Sequence, residues 1–272
     1  MIRQLLNEYI SNEVKEDKVA ILFSGGMDSL SILFTCLDLG IKPTLYSFYL
    51  KSYESQDIKS SRAIAKAYDL KLVEVCINDD EVNLVNDIKY IISRFGCKKK
   101  TAIQCIHPFL YLVNHIKEDV VLSGLCADDL YGTSKKMSIA SKNIEEFNIL
   151  RMKKIDDVYS SSYFYIKKLL NDNDKRFIAP YKDSSKIINY FMSLTYKDMN
   201  SPKQKNIMYE DFKEELLSHN LYRINSNLQY NSKLKDWHDK LIGDPSINSK
   251  NFKSVVGIYN LLYKEVLNDS ET

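Results

Sequence analysis

Residues 18–29 read Lys18-Val19-Ala20-Ile21-Leu22-Phe23-Ser24-Gly25-Gly26-Met27-Asp28-Ser29, and the fold is decided there. Residues 19–23 are a short apolar run rich in strand formers, which predicts a buried parallel strand. The run stops at Ser24-Gly25-Gly26, and an apolar helical pattern begins around Asp28. Glycines in such a turn let the backbone approach a ligand with no β-carbon in the way. The amides of the loop and of the new helix's first turn, with the helix dipole behind them, suit a phosphate or pyrophosphate.

No Gly-Lys-Ser/Thr follows the glycines, so this is not a Walker A loop. Ser24-Gly25-Gly26-Met27-Asp28-Ser29 instead resembles the Ser-Gly-Gly-x-Asp-Ser signature of the PP-loop ATP pyrophosphatases. By that resemblance the loop holds pyrophosphate and ATP is cut between its α and β phosphates. The bland alternative is an ordinary strand–turn–helix corner with Asp28 or Ser29 as N-cap.

A chain of 272 residues can bury a large α/β core. With 44% hydrophobic and 27% charged residues it reads as an ordinary globular protein, and 5 Pro and 8 Gly leave little room for long linkers. The net charge of +2 gives no electrostatic footprint for nucleic acid, and Lys98-Lys99-Lys100 reads as a solvated loop. Cys36, Cys76, Cys97, Cys105 and Cys126 form no CxxC pair, which argues against a disulfide framework or a zinc site and for a reducing, cytoplasmic setting. The first residues read as an amphipathic helix rather than a secretory signal, and no apolar run reaches membrane-spanning length.

Outward from the loop, the near-continuous apolar residues 30–39 predict an interior helix ending at Gly40. Strands are expected over 43–50 and 70–77 with a helix over 55–68 between them. Asn78 with Glu81 is expected to form a capping box for a helix over 80–93. A loop over 94–104 then precedes a helix over 106–116, with His107 near its start in a capping or positional role, and residues 119–123 form a fourth strand. Strands alternating with helices imply a doubly wound parallel sheet with ligand beyond the carboxyl ends of its strands.

The fourth strand runs into Gly124-Leu125-Cys126-Ala127-Asp128-Asp129-Leu130-Tyr131-Gly132. Carboxylates delivered at a strand end in the same sheet as a phosphate loop suit Mg²⁺, which takes one or two protein carboxylates plus phosphates and water. Asp28 and Asp128 are the two candidates, and a surface turn with a capping Asp is the alternative. Residues 122–132 are similar to the Ser-Gly-Glu-Gly-Ala-Asp-Glu-Leu-Phe-Gly stretch of the asparagine synthetase family, which also carries Ser-Gly-Gly-x-Asp-Ser at its first strand. The resemblance implies an adenine nucleotide alpha hydrolase-like sheet. It makes Asp28 and Asp128 magnesium ligands, and Ser24, Gly25, Gly26, Asp28 and Ser29, with Ser123 and Gly124, the ATP-binding set. Leu125 stands where the family has glutamate, removing a carboxylate near the substrate side; Cys126 replaces glycine, Asp129 replaces glutamate, and Thr133-Ser134 replaces Gly-Tyr.

Beyond residue 135 the pattern turns helical, over roughly 143–155, 157–170, 184–195, 203–218 and 250–267. The chain therefore divides into an α/β core over 1–150 and a helical C-terminal part over 151–272 of the same synthetase domain. Residues 176–183 resemble the family's Arg-x-Pro-Phe-Leu-Asp element, and 201–208 its later Lys-x-x-Leu-Arg helix start, which makes Lys205 and Asp128 the catalytic candidates. Read without the resemblance, Lys205 is a surface lysine among many. Family members that use glutamine begin with a cysteine nucleophile on a glutaminase domain. Here residue 2 is Ile2 and only residues 1–17 precede the first strand, so ammonia or an amine is expected from elsewhere.

The expected function is an ATP- and Mg²⁺-dependent ligase that adenylates a small carboxylate and transfers the acyl group to an amine or ammonia. Two rivals share the nucleotide loop. One is a PP-loop enzyme adenylating a nucleobase or tRNA carbonyl for thiolation or amination, with Cys97, Cys105 or Cys126 as a lone sulfur carrier. The other is a non-catalytic adenine-nucleotide-binding module, which Leu125 would suit.

Overall fold

The computed structural model describes residues 1–156, 162–221 and 228–270. Five strands form one parallel sheet: β1 (Val19–Leu22), β2 (Thr44–Leu50), β3 (Leu72–Ile77), β4 (Val120–Ser123) and β5 (Arg176–Ile178), in the order β3-β2-β1-β4-β5. All four residues of β1 are buried, as an unbroken apolar run in a central parallel strand should be. Ile21 lies between Leu45 of β2 and Leu122 of β4. From β1 the chain steps outward through β2 to β3, then returns to the other side of β1 for β4 and β5. Right-handed crossovers put the connecting helices on opposite faces, so the sheet is doubly wound. Its switch point lies between β1 and β4, where ligands bind in such sheets.

The first four strands fall where the residue pattern places them. The fifth interrupts a part of the chain expected to be helical; three residues are too few to show a period of two. One hydrophobic core runs through both parts, from Leu33 and Val121 to Ile178, Phe191 and Phe212. Arg151, fully buried, joins them with a guanidinium that donates to the carbonyls of Leu130, Phe191 and Leu194. Two of these close short helices, where the macrodipole favours a cation. Burial still pulls the Arg151 pKa down to about 10.

Several local expectations give way. Asp80, not an Asn78–Glu81 box, caps the Glu81–Phe95 helix by accepting the Asn83 amide at 2.7 Å. The next helix is Lys100–Leu112, so it starts at Lys100 and encloses Pro108. Proline inside a helix costs about 3 kcal/mol, whereas burying an isoleucine contributes about 1.5–3 kcal/mol. Ile103 and Ile106 are both fully buried, so packing wins. Lys98 and Lys99 remain exposed, but Lys98 lies over the Tyr263 ring. The helix expected over 203–218 starts only at Asn206, after left-handed Lys205, and is broken at Phe212 (φ −123°, ψ 28°) into Asn206–Asp211 and Lys213–Ser218. Of the helix expected over 157–170, residues 157–161 lie outside the described residues, and Ser162–Asn171 is helical.

His107 sits within its helix, fully buried, rather than at its start. Its Nε2 meets Asp87 Oδ2 at 2.8 Å and its Nδ1 meets His238 Nε2 at 3.0 Å. His238 Nδ1 in turn meets the Tyr259 hydroxyl, so the chain of polar groups pins Leu234–Asp239 and Val255–Ser270 onto the sheet-covering helices. Burial holds the His238 pKa well below the usual imidazole range, with His107 and Lys100 pushing the same way. The unfolded chain therefore binds a proton at this residue that the folded chain refuses, and stability should fall as pH drops below about 6.5. Urea midpoints at pH 7.5 and 5.5 should differ less for His238→Gln than for wild type. An equal pH shift in both proteins would show that His238 does not carry the effect.

Candidate active site

The loop after β1 is built by Gly25, whose φ of +66° favours glycine and where a β-carbon would lie 2.8 Å from Ser60 Cβ. Ser24 Oγ accepts the Gly26 amide at 3.3 Å, and Ser29 Oγ donates to the Gly26 carbonyl at 2.9 Å. Helix Met27–Asp38 starts with Gly26 as N-cap and no side-chain cap. Neither Asp28 nor Ser29 caps it. Asp28 turns aside instead.

The turn after β4 is pressed onto this corner. A β-carbon on Gly124 would lie 2.4 Å from the Asp28 carbonyl oxygen and 2.9 Å from Asp28 Cβ. Ser123 Oγ steadies the turn by accepting the Leu125 amide at 3.2 Å. Cys126 takes a left-handed conformation, and the short helix Ala127–Tyr131 then carries Asp128 and Asp129. Gly132 ends it against Phe147, whose ring leaves no room for a β-carbon. Thr133 Oγ1 donates to Asp128 Oδ1 at 3.0 Å.

Lys205 completes the group. Its Nζ lies 2.7 Å from both oxygens of Asp28 and 2.8 Å from Asp128 Oδ1. The lysine side chain is 6% exposed and that of Asp28 20%, whereas Asp128 is 61% exposed, open to water from the cavity. Lys205 is thus no surface lysine. Burial, reinforced by Asp128 and opposed by Lys205, pushes the Asp28 pKa up to about 6. Burial acts against ionised Asp128 too, but Lys205 and Thr133 outweigh it and hold its pKa below the usual range. Lys205 is itself held above its ordinary value, because the two carboxylates overcome the cost of its burial. Burial raises Asp129, with Lys154 pulling the other way.

A cavity of about 460 Å³ opens here, within the range of small-molecule sites. Ser24, Asp28, Ser29, Ser123, Gly124 and Asp128 all line it. Gly25, Gly26 and Lys205 do not; Lys205 meets its wall through Asp28 and Asp128. Tyr46, Ser47 and Phe48 of β2 contribute, with Asp57, Asn231 and Ser232, as do Leu125, Cys126, Asp129 and Lys154. Sequence reasoning passed over Thr133 except as a departure from a pattern, and it passed over the β2 lining altogether. Two carboxylates that share one ammonium are also close enough to share one divalent cation. Oxygen donors of that number suit Mg²⁺, so the residues present fit the metal. Among the described residues no cluster of three or more His, Cys, Asp or Glu forms a self-sufficient metal site.

Gly124→Ala forces a β-carbon into the Asp28 backbone, which cannot yield like a flexible side chain. It should loosen the Asp28–Lys205–Asp128 group and cut ligand-dependent stabilisation by ATP. Thermal shift with and without Mg-ATP reads this, and an undiminished shift would show that the close approach is not needed.

The family model for asparagine synthase matches residues 1–242 of the 272. No curated protein matches the chain. Among solved structures, it is similar to a predicted subunit of a tRNA methyltransferase from Methanocaldococcus jannaschii, at 18% identity and a TM-score of 0.37, over 77% of this chain and 93% of that one. It is also similar to the U34-tRNA thiolase NcsA from Methanococcus maripaludis with its 4Fe–4S cluster, at 16% identity and a TM-score of 0.42, over 97% of this chain and 78% of that one. Among the described residues no helix is long and apolar enough to cross a membrane. With the Ser24–Ser29 loop, the Asp128 turn and Lys205 all inside the matched span, the chain belongs to the asparagine synthase family of PP-loop ATP-using enzymes.

Proposed function

We propose that this chain activates a small carboxylic acid with ATP and passes the acyl group to an amine or to ammonia. The observation that carries the reading is the Lys205 ammonium held between Asp28 and Asp128 at the wall of a cavity on the sheet's switch point. Substrate carboxylate oxygen attacks the α-phosphorus of ATP, the bond from that phosphorus to the bridging oxygen breaks, and pyrophosphate leaves. The amine nitrogen then attacks the acyl carbon, AMP departs with the mixed-anhydride oxygen, and the nitrogen loses a proton as the amide forms. The loop Ser24–Gly25–Gly26 and Ser29 are suited to the pyrophosphate, and Ser123 and Gly124 to the nucleotide's other flank. Asp28 and Asp128 would hold Mg²⁺ in the place the Lys205 ammonium takes between them here, displacing it to one side, and the metal when bound supplies charge neutralisation to the phosphates. Lys205 fixes a further positive charge beside the same wall, where the transition state gathers negative charge.

The cavity's thiols support this reading over sulfur transfer. Burial pushes both Cys105 and Cys126 up to about 12, so each remains a protonated, weakly nucleophilic thiol at neutral pH. Burial raises Cys97 as well, and exposed Cys76 is not among the cavity's lining residues. The three-way Lys205 bridge supports catalysis over passive nucleotide binding, since a binding module needs no buried lysine between two carboxylates. Leu125 presents an apolar side chain to the cavity, which suits an acid carrying apolar surface.

Turnover should yield AMP and pyrophosphate. Lys205→Ala should lower kcat by on the order of 10²–10³ while moving the KM for ATP only a few-fold, because its charge is needed most in the transition state. Lys203→Ala should stay near wild type, since Lys203 Nζ lies over the Tyr209 ring, 2.9 Å from its centre. Chromatography of the nucleotide products with steady-state kinetics checks both points. ADP and phosphate as products, or wild-type turnover by Lys205→Ala, would overturn the proposal.

A further inference from the structure

Lys205 reaches its carboxylates from an awkward root. Its backbone is left-handed, with φ of 58°, and immediately precedes the helix Asn206–Asp211. Its carbonyl accepts the amides of Met208 and Tyr209, which starts that helix. An amide in that position has no helical partner of its own. Four methylenes then separate the root from the ammonium, so a small rotation of the backbone would carry Nζ off the line between Asp28 and Asp128.

One side chain meets the amide and ties it to the other half of the site. Asn200 Oδ1 accepts the Lys205 backbone N–H at 3.0 Å. Asn200 Nδ2 donates to the Tyr131 carbonyl at 2.9 Å and to the Tyr196 carbonyl at 3.2 Å. Tyr131 closes the helix Ala127–Tyr131, on which Asp128 sits. The partners fix the orientation of the amide group, since only its oxygen can face an N–H and only its nitrogen can face two carbonyls. A single carboxamide therefore spans from the root of the lysine to the end of the helix that carries one of its two carboxylates. Asn200 is half-buried and closes its own helix, Tyr196–Asn200, which a Thr195–Asp198 capping box holds at the other end.

We infer that Asn200 is the positioning residue for Lys205, setting the lysine's root relative to Asp128 so that one ammonium meets both carboxylates. Asparagine suits this place because aspartate lacks the donor, alanine lacks both groups, and glutamine is one methylene too long. The catalytic consequence rests on the adenylation reading above; the placement of Lys205 does not.

Two readouts separate them. The first is acetylation of lysines by acetic anhydride, followed by peptide mass spectrometry, with exposed Lys213 as the internal reference. Asn200→Ala should raise Lys205 labelling relative to Lys213 by about fivefold or more, and Asn200→Asp, which keeps the acceptor for the Lys205 amide, should fall between Ala and wild type. The second is ATP–pyrophosphate exchange. There Asn200→Ala should lower kcat about tenfold with the KM for ATP within about twofold, and Asn200→Ala combined with Lys205→Ala should be no slower than Lys205→Ala alone. If the alanine variant does not fold, Asn200→Gln carries the same comparison. Unchanged Lys205 labelling, or losses that multiply in the double variant, would overturn the inference. Increased labelling in a protein that shows no exchange even as wild type would support the positioning role and sink the adenylation reading instead.

Discussion

The arrangement turns on one ammonium between two carboxylates. Asp28 and Asp128 come from the ends of different strands and sit close enough to repel, and Asp28 is largely out of water. Burial, with the Asp128 charge reinforcing it, pushes the Asp28 pKa up to about 6. Lys205, 177 residues along the chain from Asp28, holds the pair together. Breaking a fully buried ion pair by removing one partner costs about 3–5 kcal/mol, and water reaching Asp128 places this one lower. Even a reduced figure is a sizeable part of a total stability of about 5–15 kcal/mol. The site and the seating of the Lys205 segment against the turns after β1 and β4 therefore share the same contact.

Geometry supplies the other half. β1 and β4 are adjacent, so the segments leaving their carboxyl ends emerge side by side. Only because Gly124 has no side chain can the second turn press against the backbone of Asp28. Gly25 lets the first turn lie close to Ser60 of the helix Gln56–Ala67. The parallel sheet sets the neighbourhood, and two glycines bring it to contact distance.

Much of this was legible in the residues. An apolar run ending in Ser24-Gly25-Gly26 located both the central strand and the loop, because a buried strand and a glycine turn each leave a local mark. Asp128 was reached from its place at a strand end and Lys205 through resemblance, and the structure brings both to Asp28. What the sequence concealed was settled by long-range packing. β5 is three residues long and owes its existence to the edge of β4. The Lys100–Leu112 helix keeps Pro108 because the isoleucines around it are buried. Thr133 and Asn200 act through hydrogen bonds to residues that local pattern cannot pair with them, Asn200 reaching back 69 positions to Tyr131. The left-handed Lys205 carries no glycine or asparagine to announce it.

The central claim is that this site adenylates a carboxylate, and ATP–pyrophosphate exchange reports that half-reaction without needing the amine. With Mg-ATP, labelled pyrophosphate and a panel of carboxylic acids and nucleobases, label should enter ATP only when a suitable acid is present. Exchange driven by a nucleobase or an RNA, with every acid inert, would contradict the account.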